Sequence, residues 1–349
     1  MFRYFRYFRW PLIWTGIGLV LSLWLGWAYS GNLAGALSFF FVASVLAVLE
    51  ISLSFDNAIV NANKLKNMTP EWQHRFLTWG IVIAVFGMRV VFPLLIVVVA
   101  AGIGPIEALR LAATRPAEYA HIIEGAHVSI AGFGGAFLMM VALSYFIDEG
   151  KEVDWIATLE CRLRACASIR GLEIAFVLAL SLIFTTILPH HDKFPFLLAS
   201  VAGLLTFLGV EVVGHLLDRA DMSREAAKGG LGAFLYLEVL DASFSFDGVI
   251  GAFALTQNLF LIAIGLGIGA FYVRAMTIML VERDSLSEFR YLEHGAFWSI
   301  LILSGIMFAQ TLMPVHELVT GLLGAGFILV ALISSIRFNR TMLQGGNQE

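Results

Sequence analysis

Ten predominantly apolar stretches, most of them about the length a helix needs to cross a bilayer, leave this chain few folds to choose from. They run over about 11–30, 34–62, 77–101, 126–147, 172–189, 196–217, 231–256, 258–281, 295–313 and 316–336. In lipid, backbone N–H and C=O groups must be satisfied internally, so the expected fold is all-α and polytopic. Composition agrees: 59% of the 349 residues are apolar and only 14% charged, against about a quarter charged in soluble domains. The loops are too short to bury a core, so 1–349 reads as a single integral membrane domain whose first partner is the lipid bilayer. A net charge of -4 gives no sign of nucleic-acid binding. The N-terminal apolar run is too long for a signal peptide and is expected to be a retained first span.

Lysine and arginine near span ends favour the cytoplasm. With the N-terminus inside, the inner segments hold Arg3, Arg6, Arg9, Lys64, Lys66, Arg75, Lys151, Arg162, Arg164, Arg170, Arg219, Arg224, Lys228, Arg283, Arg290, Arg337 and Arg340. The outer segments hold only Arg110, Arg115 and Lys193. Both termini are therefore expected in the cytoplasm, and the expected location is the cytoplasmic (inner) membrane of a bacterium.

Two spans carry matching acidic motifs. "EISLSFDN" at Glu50–Asn57 aligns with "DASFSFDG" at Asp241–Gly248, matching two serines, a phenylalanine and an aspartate, with Glu50 facing Asp241. Arg89 and Arg274 each lie in the following span, and "EGAHVSI" from Glu124 resembles "HGAFWSI" from His294. Three landmarks in the same order indicate duplication, with repeat one at about 11–189 and repeat two at about 196–336. An offset of five spans inverts the second half, an arrangement in which secondary transporters place the ligand near mid-membrane.

Carboxylates at mid-membrane cost several kcal/mol each, about 2.5–3.5 on insertion scales, unless protonated or paired with an arginine or a cation. Glu50 and Asp56 are six positions apart and point about 240° apart on a regular helix. Serine, aspartate and asparagine compete for backbone hydrogen bonds, so a break is predicted near Ser54–Asn57 and another near Ser245–Gly248, letting the acids converge. The candidate donors are all oxygen: Glu50, Asp56, Asn57, Asp241 and Asp247, with Ser54, Asn61, Ser245 and Glu211 as accessory polar groups. Such a set suits Mn2+, Mg2+ or Ca2+ better than softer ions. Arg89 and Arg274 read equally as charge-balancing or gating groups and as structural residues that snorkel to an interface or pair with a nearby acid. Glu211 and His215, one turn apart, could relay protons or mark the membrane edge. Cys161 and Cys166 do not make a zinc pattern, and no H-E-x-x-H or G-x-S-x-G supports an enzyme.

At these residues the chain resembles the TerC family, particularly a branch long described as a domain of unknown function. The resemblance rests on "LEISLSFDNAIV", "LEVLDASFSFDGVIGAFAL", Arg89, Arg274 and "RYLEHGA" from Arg290. It implies a polytopic protein with a transmembrane metal site, and a role in metal-ion homeostasis, most often Mn2+ efflux, with tellurite resistance in some members. Carried over, the metal-site residues would be Glu50, Asp56, Asn57, Asp241 and Asp247; Gly248 departs from relatives with a polar residue there. The function expected is a divalent-cation exporter working by alternating access, with protons as the coupling ion. A non-transporting membrane assembly or stress-resistance factor with a structural metal is the alternative. The sequence does not specify whether the chain forms a homo-oligomer.

Overall fold

In the computed structural model the described residues are 2–66, 68–148, 150–151, 153–220, 230–283, 285–313, 315 and 317–345. Arg224 and Lys228, and the side chains of Arg3, His215, Arg219 and Asp247, lie outside the described residues. The helices are α1 (Phe2–Ser30), α2 (Leu33–Leu53), α3 (Phe55–Leu65), α4 (Pro70–Val82), a π-helical segment (Ile83–Val91), α5 (Phe92–Ala101), α6 (Pro105–Thr114), α7 (Pro116–Gly125) and α8 (His127–Phe146). They continue with α9 (Ala157–Ala165), α10 (Leu172–Ile187), α11 (His190–Ala220), α12 (Leu231–Leu255), α13 (Leu259–Glu282), α14 (Ser285–Glu288), α15 (Leu292–Gln310) and α16 (Glu317–Gly345). Among the described residues there is no strand.

The chain is an all-α polytopic membrane protein. All ten stretches expected to span fall on helix, but fewer qualify as crossings by length and apolarity alone. Among the described residues seven helices do so unaided, and nine if two bent pairs, 89–101 with 105–114 and 157–168 with 172–187, each count as one. The difference has local causes. The second stretch divides into α2 and α3, and Glu238, Asp241 and Asp247 leave α12 without a long uncharged run. Exposed apolar side chains ring the bundle, among them Trp14, Trp24 and Trp27 of α1, Val99 of α5 and Leu322 of α16.

Helix starts are fixed by side chains. Asn32 Oδ1 accepts from Gly35 N at 2.8 Å and Asn258 Oδ1 from Leu261 N at 3.1 Å, capping α2 and α13. Helix α13 packs on α2 because its glycines remove side chains from the contact. A Cβ at Gly265 would lie 2.5 Å from Leu46 Cβ, and one at Gly269 would lie 2.3 Å from Glu50 Cγ. This small-xxx-small face brings the helices close and seats Glu50 in the interior, 5% exposed. On the other side, α8 packs against α11 and α15, and α15 against α16. Helices α3 and α12 contact each other, and both also contact α13; α3 reaches α15, and α12 reaches α8 and α11.

The run from Pro70 to Ala101 stays helical but widens to π geometry over Ile83–Val91. Pro93 supplies the reason: it has no N–H for the Arg89 carbonyl and its ring would clash there in an α-helix. The Phe92 N–H instead reaches back five residues to Gly87 O.

The loop before α9 is tied to α15 by a buried carboxylate. Glu160 accepts from Lys151 Nζ (2.6 Å), Trp298 Nε1 (2.9 Å) and the backbone N–H groups of Trp155 and Ile156, and its Oε2 lies 2.8 Å from His294 Nδ1. Burial alone would raise its pKa, but the hydrogen bonds from His294, Lys151 and Trp298 outweigh it and hold the group well below the usual carboxylate range.

Candidate functional site

The second apolar stretch breaks where its polar residues predict. Ser54 ends α2 and begins α3 with φ -101° and ψ 20°, outside helical geometry. Glu50, on the last full turn of α2, forms a buried ion pair with Arg89 of the π segment. The two side chains are 6% and 5% exposed, so the pair is held in the interior and not in water. Arg89 is thus a paired interior cation and does not snorkel to an interface.

Across the break, α3 presents a polar face to α12. Asn57 Nδ2 donates to Asp241 Oδ1 at 2.6 Å, and Asn61 Nδ2, one turn on, reaches the same oxygen at 3.4 Å. Their amide oxygens, Asn57 Oδ1 and Asn61 Oδ1, are buried with no hydrogen-bond partner among the described residues. Arg274 of α13 lies over the Phe76 ring at 4.5 Å, and its Nε and Nη2 are likewise unpartnered. Glu50, Asn57, Asn61, Arg89, Asp241 and Arg274 together line one small cavity of about 30 Å³. Of these, Glu50, Asn57 and Asp241 are metal-site candidates from sequence, Arg89 and Arg274 charge-balancing or gating candidates, and Asn61 an accessory one.

Asp56 takes another direction. It accepts from Ser299 Oγ of α15 (2.8 Å) and from the Asn57 N–H (2.8 Å), beside Gly324 of α16. The break therefore does not bring Glu50 and Asp56 onto one partner, because α3 leaves Ser54 with Asp56 turned to α15. The break expected near Ser245–Gly248 does not form. Helix α12 runs unbroken from Leu231 to Leu255, and Ser243 Oγ donates back to Val239 O at 3.0 Å, so this serine's hydroxyl is satisfied within the helix. Ser245 is buried in that helix, and Asp247, whose backbone lies in it, has its side chain outside the described residues. Gly248 has a steric use: a Cβ there would sit 3.1 Å from Glu50 Oε2.

Glu238 was missed. It lies one turn before Asp241, 7% exposed, with Oε1 unpartnered among the described residues, and it interacts electrostatically with Asp241 and Arg274. Gly80 makes room for it, since a Cβ there would lie 2.8 Å from Glu238 Oε1. The signal was present as a further acid in the apolar run "YLEVLD". Glu211 stands apart from this cavity. It lines a separate vestibule with Lys64, Asp148, Arg170, Glu173 and Tyr236.

Chemically, the cavity offers carboxylate and amide oxygens, acceptors unpartnered among the described residues, and two guanidinium groups that balance charge. Among the described residues no three His, Cys, Asp or Glu side chains cluster tightly enough to hold a metal ion unaided. A cation here would therefore draw on the asparagine amides as well as the carboxylates, a mixed oxygen set typical of hard ions.

No curated protein and no solved structure matches the chain. A family model does, that of "Protein of unknown function (DUF475)", over residues 55–342, which takes in α3, its asparagine face, α12 and both arginines. The chain belongs to the DUF475 family of membrane proteins.

Proposed function

We propose that this protein carries a divalent cation across the membrane, with Mn2+ the first candidate and Ca2+ or Mg2+ behind it, by alternating access around the cavity between α3 and α12. It is read as a transporter and not an enzyme. The observation that carries this reading is the concentration of unpartnered buried oxygens beside Asp241, at a helix break deep within the chain's apolar segments. Buried acceptors without donors are costly, and a bound cation removes that cost. The resemblance to TerC proteins favours export from the cytoplasm, across a bacterial inner membrane with both termini inside. The number of interior carboxylates favours protons as the exchanged ion.

The test is flux into proteoliposomes for Mn2+, Ca2+, Mg2+ and Zn2+, with and without an imposed pH gradient. Saturable Mn2+ movement that stops in Asp241→Asn supports the reading. Protein that binds Mn2+ but moves none supports the alternative, a non-transporting assembly or resistance factor with a structural metal.

A further inference from the structure

Helix α3 links two hollows. Asn57 and Asn61 line the inner cavity, and Lys64, three residues further along the same helix, lines the vestibule. Positions 57, 61 and 64 follow the i, i+4, i+7 spacing of a single helix face, and the step from Asn61 to Lys64 is about 4.5 Å along the axis. Helix α12 spans the same two spaces, with Asp241 in the cavity and Tyr236 in the vestibule. The vestibule is large, about 690 Å³, and is completed by Asp148, Arg170 and Gly171 of the 148–171 loop, with Glu173 and Glu211.

At the junction the Lys64 ammonium sits 4.7 Å from the centre of the Tyr236 ring. The ring is itself braced edge-on by Phe207 at 6.5 Å. Glu211 and Asp148 attract the ammonium from the vestibule side. A cation over an aromatic face, with carboxylates behind it, is a favourable and reversible arrangement. A positive charge at this point opposes any mobile cation, and the side chain itself occupies space beside the asparagine face.

We infer that the α3–α12 seam is the route between the cavity and the side of the membrane bearing the 148–171 loop, and that Lys64, resting on Tyr236, is its tethered barrier to divalent cations. The inference rests on the cation reading of the cavity for its cargo, but the route can be tested without transport. When Lys64 leaves the ring, the cation passes from Glu211 and Asp148 to the asparagine face. When Lys64 returns, the ammonium closes the seam.

The experiment uses full-length protein carrying Cys161→Ser and Cys166→Ser, with Thr277→Cys as a reporter. Thr277 lines the inner cavity and is 1% exposed. A small cationic methanethiosulfonate is applied to vesicles from the side bearing the 148–171 loop. Labelling should be slow with Lys64 present and at least tenfold faster in Lys64→Ala and in Tyr236→Leu, while Lys64→Arg should stay slow. Labelling that is already fast with Lys64 in place, or unchanged in both Lys64→Ala and Tyr236→Leu, overturns the barrier. Acceleration by Lys64→Arg equal to that by Lys64→Ala assigns the effect to disturbed packing and overturns it as well. Mn2+ flux is measured on the same preparations without the reporter: faster labelling with no flux in any protein leaves the route standing and removes the transport reading.

Discussion

Asn57 and Asp241 lie 184 positions apart and meet at 2.6 Å, the amide of a short helix donating to a carboxylate of a long one. The contact joins the two acid-bearing motifs and places the broken helix against the unbroken one. A cation competing for Asp241 must loosen it, because one oxygen cannot serve both fully. Asp241→Asn should abolish Mn2+ binding and protection of cells against excess Mn2+, with membrane levels of the protein unchanged. Asn57→Ala should weaken binding about tenfold or more, a loss of about 1.4 kcal/mol or more. Titration calorimetry on purified protein reads both, and wild-type affinity in Asp241→Asn would refute the assignment.

The Glu50–Arg89 pair is a matter of stability before it is one of function. Both groups are buried, so removing Arg89 takes from Glu50 the cation that balances it. Arg89→Gln should cost about 3–5 kcal/mol, and Arg89→Gln with Glu50→Gln should recover much of that loss. Melting of the single and double variants in one detergent checks the coupling; additive losses would mean that the charges act independently.

Glycine positions on the helices should divide sharply. Gly269→Ala drives a methyl into Glu50 and should destabilise by about 1–3 kcal/mol. Gly305, with no atom within 4 Å of an added Cβ, is the contrast. Gly305→Ala should be neutral or stabilising by up to about 1 kcal/mol, the usual helical preference for alanine. Paired thermal melts would show whether the α2–α13 approach is as tight as the geometry requires.

The Glu160 clamp sets an acid limit. Its carboxyl has a folded pKa below its unfolded one, so the stability it contributes is fully present above the ordinary value of 4.5. That stability falls away as pH drops below 4.5 towards the depressed folded value. Hydrogen exchange at the Trp155 and Ile156 amides should therefore stay protected near neutrality and open only in acid. In Glu160→Gln those amides should exchange fast already at about pH 7, and the acid step should vanish.

Much of this was legible in the residues. The apolar stretches located the helices, and the cluster Ser54–Asp56–Asn57 marked the break, because each can bond its own backbone. The same logic failed at Ser245–Gly248. Ser243 gives its proton to the carbonyl one turn back, and nothing in the local sequence distinguishes that outcome from a break. The partner of Asp56 could not be read, since Ser299 reaches it from 243 positions away. Glu238 was readable as a buried acid, but its position beside Arg274 depends on the absence of a side chain at Gly80. The Lys151–Glu160–His294 cluster likewise joins a polar loop to a distant span by tertiary contact alone.

The π segment makes the spacing of residues along the chain matter as much as their identity. Its turns are wider than those of an α-helix, and each residue added to or removed from a helix rotates the remainder by about 100°. A one-residue deletion within Ile83–Val91 that restored α geometry would swing Arg89 relative to α4, although every side chain remained chemically unchanged. In this stretch a substitution is a local event, whereas an insertion or deletion re-aims the guanidinium that neutralises Glu50.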